Sequence, residues 1–159
     1  MKRPPLFYRH AGFFRWVMSC FPPFWGTGIS VKEVSPDYGH IVVVMKDKFW
    51  NRNALGTHFG GSLYAMCDPF YCLMLLAKLG RNYVVWDQAA RIEFIKPGRG
   101  HMRAEFILTD AQIAEIKQQA EGGKKVLPEM EVLVTDESNE VVARVHKTLY
   151  VRERKKTTP

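Results

Sequence analysis

Residues 53–68 read NALGTHFGGSLYAMCD, and residues 69–79 continue as PFYCLMLLAKL. Gly60-Gly61 ends a polar loop, and the apolar side chains that follow recur at helical spacing, which predicts a helix over residues 61–79. Its apolar residues lie on every side, so we expect the rest of the chain to surround this helix. Gly80 is expected to end it, because glycine readily adopts the backbone conformation that terminates a helix.

A short helix and two strands are predicted before this central helix. Residues 29–34 and 40–46 are rich in valine and isoleucine, and the turn sequence SPDYG at 35–39 separates them, which predicts two strands. Residues 6–21 are predicted to form an amphipathic helix that Pro22-Pro23 ends. Its apolar stripe is predicted to consist of Leu6, Phe13, Val17 and Phe21.

Strand signals dominate after the central helix. Four strands are predicted at residues 83–95, 100–109, 129–135 and 140–152, with a helical insert at 110–121. Residues 153–159 are expected to be a disordered tail. Because no internal repeat or linker is present, residues 1–159 are predicted to form one α+β domain, in which a mostly antiparallel sheet surrounds the central helix.

Composition narrows the classes of partner. The 159 residues include 23 Lys and Arg against 16 Asp and Glu, and the net charge of +7 favours an anionic partner. No helix-turn-helix, zinc-finger or RNA-recognition motif is present, so nucleic acid is not expected. Three cysteines without metal-site spacing predict free thiols, no metal and a cytoplasmic location. Neither a signal peptide nor a membrane span is expected.

Aromatic residues near the N-terminus allow two interpretations. They could touch a membrane surface or pack over the mouth of the sheet, and they are Phe13, Phe14, Trp16, Phe24 and Trp25. We expect packing, and therefore no membrane contact.

Asp68 is the main anomaly, because it lies within an otherwise apolar helix about two turns from its start. A buried carboxylate is costly unless it is paired or functional. The alternative is a capping role, in which Asp68 caps a new helix that begins at Pro69. Local chemistry leaves both alternatives open. At the helix start, Gly60 would let a developing oxyanion approach free backbone N–H groups.

The segment NALGTHFGGSLYAMCD resembles the central-helix segment of hotdog-fold thioesterases of the phenylacetyl-CoA type. The chain is still more similar to an uncharacterised hotdog branch, a domain family of unknown function, over about residues 6–152. That similarity rests on GTHFGGSLYAM (56–66), YVVWDQAA (83–90), FIKPGRG (94–100) and KTLYVR (147–152). The resemblance implies a hotdog fold, acyl-thioester hydrolysis without a cofactor other than the coenzyme A of the substrate, and a homodimer or dimer of dimers.

The resemblance also implies roles for individual residues. Asn53 would hold the attacking water or the substrate, and the N–H of Gly60 would polarise the thioester carbonyl. Asp68 would act as general base or nucleophile. Asp87 falls near the position where relatives place a hydroxyl residue from the partner subunit, and an acid there would raise the pKa of one of two neighbouring carboxyls.

The chain departs from the family pattern next to the two glycines. The family histidine directly precedes them, whereas Phe59 takes that place here and His58 lies one residue earlier. Seven residues are expected to contact the substrate, and they are Gly61, His58, Phe59, Tyr64, Asp87, Lys96 and Arg99. The basic residues among them would receive the phosphates of coenzyme A.

Alternative functions share the same scaffold. The first is a non-catalytic module that binds acyl thioesters, and the second is a hotdog dehydratase, which would need a well-placed histidine. A thiol nucleophile at Cys67 or Cys72 is disfavoured, because burial within a helix keeps a thiol inert.

Overall fold

The computed structural model describes Tyr8 and residues 10–154 of the chain. Leu6 and residues 155–159, which carry parts of the predicted N-terminal helix and tail, lie outside the described residues. The helices are α1 (Ala11–Ser19), α2 (Pro22–Trp25), α3 (Gly60–Ala65), α4 (Phe70–Leu79) and α5 (Asp110–Gln119). The strands are β1 (Ile29–Val34), β2 (His40–Met45), β3 (Tyr83–Phe94), β4 (Met102–Ile107), β5 (Lys125–Val126), β6 (Glu129–Thr135) and β7 (Val141–Glu153).

The strands form one antiparallel sheet in the order β1-β2-β4-β6-β7-β3, and the short β5 pairs with β7. β1 and β3 are therefore the two edges of the sheet. Along β7 the side chains alternate between faces, and Val145, Leu149 and Val151 are fully buried on the inner face. The six predicted strands are confirmed to within about two residues. The short β5 was not predicted, because its two residues are too few for a periodic signal.

α3 and α4 supply the centre of the core. The side chains of Leu63, Met66, Phe70, Met74 and Leu75 are at most 2% exposed and pack against the inner face of the sheet. An antiparallel sheet wrapped around a central helical segment is the predicted hotdog arrangement, which the structure confirms.

The central helix is interrupted, as the proline in its middle requires. Residues 66–69 form a turn between α3 and α4, because Pro69 lacks the N–H that a continuous helix would use. The whole segment Gly60–Leu79 is long and apolar enough to cross a membrane by composition, but half of its most apolar window is buried, as in the core helix of a soluble protein.

The predicted face of the N-terminal helix was wrong. Phe14 and Met18 are the buried residues of α1, whereas Phe13 is 41% and Phe21 is 45% exposed. Phe14 packs edge-on against Tyr38, with ring centroids 5.3 Å apart, and this contact fixes which side of α1 faces inward. Pro22-Pro23 ends α1 as predicted, but it also starts α2, where proline fits the first helical positions.

Candidate active site

Asp68 lies in the turn between α3 and α4 and does not cap α4. The N-cap residue of α4 is Pro69, and no side chain makes a capping hydrogen bond there. Instead, Oδ1 of Asp68 accepts a hydrogen bond of 2.7 Å from the hydroxyl of Tyr64, one turn earlier. Of the two alternatives left by the sequence, the structure therefore excludes the capping role.

Lys147 joins Asp68 to Asp87. Its Nζ lies 3.0 Å from Oδ1 of Asp68 and 3.0 Å from Oδ1 of Asp87, and its side chain is fully buried. The same ammonium lies 3.3 Å from the hydroxyl of Tyr64 and 5.4 Å from the centre of its ring. Asp87 reaches this cluster from β3, directly before a β-bulge at Gln88. One ammonium between two carboxylates leaves the cluster with a net negative charge.

Burial and the ion pairs act against each other in setting the pKa values of the cluster. Burial lowers the pKa of Lys147, but the hydrogen bonds and negative charges of Asp68 and Asp87 outweigh it and raise that pKa above its ordinary value. The pKa of Asp87 is raised, chiefly by burial, while Lys147 opposes the increase and the charge of Asp68 adds to it. Lys147 therefore remains an ammonium at neutral pH.

Asp68 keeps one oxygen available. Its Oδ1 carries the contacts to Tyr64 and Lys147, while Oδ2 has no hydrogen-bond partner among the described residues. The side chain is 47% exposed, whereas that of Asp87 is 30% exposed. A carboxylate held by one oxygen and open at the other is oriented but can still accept a proton or attack an electrophile.

Two aromatic rings flank the start of α3. A Cβ placed on Gly60 would lie 2.9 Å from the ring of Phe94, and a Cβ on Gly61 would meet the ring of Phe59. The carbonyl of Phe59 accepts the N–H groups of Ser62 and Leu63, but those of Gly60 and Gly61 have no acceptor within the described residues. Two unpaired donors thus lie between apolar rings, where they can bind an oxyanion.

Asn53 and His58 shape the loop that leads into α3. The Oδ1 of Asn53 accepts from the N–H groups of Leu55 (2.9 Å) and Thr57 (3.2 Å), and its Nδ2 donates to the hydroxyl of Thr57. The role of Asn53 in holding water or substrate therefore stays a prediction, alongside a clear role in ordering the loop.

His58 is turned toward the strand region rather than toward Asp68. The residue is 3% exposed, the ring Nε2 lies 2.7 Å from the carbonyl oxygen of Gly100, and the backbone N–H donates to the carbonyl of Gly98. This placement offers no support for a dehydratase, which would need the histidine at the reacting carbons.

The two basic residues predicted to receive phosphates differ in their surroundings. Lys96 pairs with Asp136 at 2.7 Å and with Glu140, so its charge is already neutralised in the β6–β7 hairpin. Arg99 is exposed and bonds through Nη1 to the carbonyl of Gly56, 3.3 Å away, beside the loop that leads into α3. Arg99 is therefore better placed than Lys96 to bind a phosphate.

Thiol and metal chemistry receive no support from the described part of the chain. Burial raises the pKa of the Cys67 thiol and raises that of Cys72 to about 12, so both thiols stay protonated. The three cysteines are free. No cluster of three or more His, Cys, Asp or Glu side chains in residues 10–154 is arranged to hold a metal ion.

Lys147 is the site residue that sequence reasoning missed. The motif KTLYVR was noted, but a lysine in a strand is usually assumed to face solvent. A signal was present, because Lys147 shares the inward phase of Val145, Leu149 and Val151 along β7. A charged residue in phase with buried apolar ones predicts a buried ion pair.

Comparisons with known proteins bear on the family and the fold of the chain. Residues 9–151 match the family described as a domain of unknown function, DUF4442. No functionally curated protein is significantly similar in sequence.

Solved structures with the same fold are numerous and distant in sequence. A protein of unknown function from Pseudomonas aeruginosa, described as a probable thioesterase, is 22% identical with a TM-score of 0.76 over 97% of this chain and 99% of that one. A thioesterase from Haemophilus influenzae is 14% identical, with a TM-score of 0.66 over 94% of each chain. A Streptococcus mutans protein bound to acetyl-CoA is 18% identical, with a TM-score of 0.56 over 80% of this chain and 91% of that one. These similarities establish a thioesterase-like hotdog fold.

Proposed function

This chain belongs to the family of unknown function DUF4442, and on that premise we propose that it hydrolyses acyl thioesters of coenzyme A or of an acyl carrier protein. Structural neighbours described as thioesterases, and one bound to acetyl-CoA, support this class of substrate. The observation that carries the proposal is the carboxylate of Asp68, which Lys147 and Tyr64 hold by one oxygen while the other stays free.

The complete site needs two copies of the chain. Gly60 begins α3 and Asp68 lies eight residues later in the turn that follows it, and a rise of about 1.5 Å per residue would separate them by about 12 Å, too far for one carbonyl group to contact both. A homodimer in which Gly60 of one subunit faces Asp68 of the other removes this difficulty. The edge strand β3 supports such a pairing, because within the described residues it has a strand partner on one side only and it exposes Trp86 and Phe94.

The proposed reaction proceeds by attack of water on the thioester carbonyl. The free oxygen of Asp68 takes a proton from water while the hydroxyl oxygen bonds to the carbonyl carbon. The N–H of Gly60 stabilises the oxyanion that forms. When the oxyanion collapses, the carbon–sulfur bond breaks and the leaving thiolate takes the proton from Asp68, which gives a carboxylic acid and a free thiol. Direct attack by Asp68 to form an anhydride, which water then cleaves, uses the same groups.

The surroundings of these groups suggest how the substrate lies. The rings of Phe59 and Phe94, 60% and 56% exposed, flank the start of α3 and offer an apolar surface to an acyl chain. Arg99, beside the same loop, offers its unused guanidinium donors to a phosphate. The chain supplies these contacts without a metal or added cofactor, since coenzyme A is part of the substrate.

Replacement of the free carboxylate tests the proposal directly. Asp68→Asn keeps the size of the side chain but removes the base, so we expect kcat on an acyl-CoA panel, followed by thiol release, to fall by about 10²–10⁴-fold. Asp110→Asn is the matched control, because Asp110 is 92% exposed and pairs only with Lys78, and its turnover should equal that of the wild type. Undiminished hydrolysis by Asp68→Asn would exclude the proposed mechanism.

The same experiment separates the enzyme from a binding module. An acid that only stabilises the fold or only binds a ligand would also pair with a lysine, as Asp68 pairs with Lys147. Binding of acyl thioesters without hydrolysis is therefore the second candidate function, and it needs its own measurement. Tight binding of a non-hydrolysable acyl-CoA analogue, with no turnover of the thioesters by the wild type, would identify the chain as a module that binds acyl thioesters.

A further inference from the structure

Six large aromatic side chains project into solvent from three neighbouring segments, which are α1, α2 and the loop between β2 and α3. They are Phe13 (41% exposed), Trp16 (61%), Phe21 (45%), Trp25 (64%), Phe49 (83%) and Trp50 (56%). α1 packs along β1 and carries the first two, α2 follows directly, and the β2–α3 loop carries the last two. We call this set the aromatic surface.

The aromatic surface is held in place rather than loosely attached. The side chain of Asn51, 6% exposed, donates through Nδ2 to the carbonyl oxygens of Thr27 and Lys46, each at 2.8 Å, and accepts the N–H of Lys48. It thereby fixes the turn that holds Phe49 and Trp50 beside the end of α2.

Buried neighbours anchor the two helices that carry the other exposed rings. Phe14 and Phe24 are at most 2% exposed, next to the exposed Phe13 and Trp25. Each helix therefore places one ring in the core and the adjacent ring in solvent. An ordered array of exposed rings of this kind is uncommon on a monomer and marks an interaction surface.

The charges in the segments that carry the rings are mostly positive. The described residues 10–32 contain Arg15 and Lys32 and no Asp or Glu, with Glu33 directly after them, and residues 46–56 contain three basic residues and one acid. That acid, Asp47, is neutralised by two hydrogen bonds from Arg52, at 2.7 and 2.9 Å. Lys48 lies 5.8 Å from the centre of the Trp50 ring. Tryptophan beside lysine and arginine is the composition that suits the interface of an anionic bilayer.

The exposure of Phe13, Trp16 and Trp25 contradicts the expectation that these rings pack over the sheet, and the packing prediction holds only for Phe14 and Phe24. We propose that the aromatic surface binds the surface of an anionic lipid bilayer, with its rings at the level of the headgroups. A two-fold-related copy is the less favourable occupant, because it would bring these basic residues against the same basic residues of the other copy. The surface is also at the opposite edge of the sheet from β3, so the proposed dimer leaves it open. This inference does not depend on the proposed reaction.

Vesicle flotation tests the proposal. The full chain should float with phosphatidylcholine vesicles in which about a third of the lipid is phosphatidylglycerol, should remain unbound with phosphatidylcholine alone, and should be released by salt. In a Trp86→Phe background, the remaining tryptophans lie on the aromatic surface, and their fluorescence should be quenched by lipids brominated in the acyl chain.

Matched variants locate the contact. Trp25→Ser with Trp50→Ser should lower the partition coefficient at least about tenfold, whereas Ile107→Ser with Lys117→Gln should leave it unchanged. The control pair removes an exposed apolar side chain and an exposed cation that lie outside the aromatic surface and outside β3, since Ile107 is 55% exposed on β4 and Lys117 is exposed on α5. Circular dichroism should give the same melting temperature for the surface variant as for the wild type.

Three outcomes would overturn the proposal. The first is a wild-type chain that does not float with anionic vesicles, and the second is an equal loss of binding in both variant pairs. The third is a fall in the light-scattering mass of the Trp25→Ser, Trp50→Ser variant without vesicles, which would identify the surface as a contact between copies.

Discussion

Lys147 determines the charge of the site, because its buried ammonium is shared by two acids that come from different elements. Asp68 belongs to the turn between α3 and α4, and Asp87 belongs to β3. Without the ammonium, two carboxylates and a phenol would be crowded together in a partly dry space, where like charges repel strongly. Lys147 therefore acts as a positioning residue for Asp68 as well as its counter-ion.

Removal of the ammonium should destabilise the fold. We expect Lys147→Met to lower the free energy of unfolding by about 3 kcal/mol. This is the lower end of the range of about 3–5 kcal/mol for breaking a buried ion pair, because both acids keep some contact with water. The double variant Lys147→Met, Asp87→Asn should recover part of this loss. Urea denaturation measures both, and an unchanged midpoint for Lys147→Met would show that the ion pairs contribute nothing.

The same ion pairs have a predictable dependence on pH. The pKa of Lys147 is raised above its ordinary 10.5, so the stabilisation is fully present below about pH 10.5 and is lost as the pH rises through the higher folded-state value. The stability difference between wild type and Lys147→Met should therefore be constant from neutral pH to about pH 10 and should shrink above it.

The residue scale also shows what a sequence can reveal about a site. Asp68 was recognisable because a charge inside an apolar helical run breaks the local pattern. Lys147 was not, since it is 79 positions away along the chain and its partners come together only when β7 packs against the central helix. The orientation of His58 toward Gly100 likewise depends on a contact between distant segments.

At the scale of the element, α1 shows why apolar periodicity predicts a helix more reliably than its orientation. The sequence AGFFRWVMSCF places apolar residues on all sides, so two different stripes fit equally well. Contacts with Tyr38 and Tyr8, whose ring centroids lie 5.3 and 6.0 Å from that of Phe14, decide between them. The strands were predicted more accurately, because β-branched runs between turn residues leave little ambiguity.

A matched pair of substitutions tests the orientation of α1. Phe14→Ala removes a fully buried ring and should lower the free energy of unfolding by about 3–5 kcal/mol, whereas Phe13→Ala removes an exposed one and should change it by less than about 0.5 kcal/mol. Thermal or urea denaturation of the two variants compares them directly. Equal losses would mean that both rings are covered in solution.

At the scale of the whole molecule, the two edges of the sheet differ in what covers them. The β1 edge is covered by α1 and bears the aromatic surface, while no described strand pairs with the outer side of β3 along its twelve residues. The open edge is the natural place for a second copy, and the proposed reaction requires one. The sequence predicted a dimer only through resemblance, since no local pattern encodes which edge stays unpaired.

Complementation between two inactive variants tests the shared site. Gly60→Pro removes the N–H donor while proline still fits the first position of α3, and Gly60→Ala is the control, because it keeps the donor but brings the same Cβ within 2.9 Å of the Phe94 ring. If each site combines Gly60 of one subunit with Asp68 of the other, a mixture of Gly60→Pro and Asp68→Asn chains refolded together should recover about a quarter of the wild-type activity. If the mixture recovers no activity, Gly60 and Asp68 of each site belong to the same subunit.

The shared ammonium of Lys147 also constrains how this protein can evolve. A mutation that removes Lys147 leaves two acids together without their counter-ion, whereas a mutation that neutralises Asp68 or Asp87 leaves one ammonium paired with one carboxylate. We therefore expect lineages that have lost Lys147 to have first replaced at least one of the two acids.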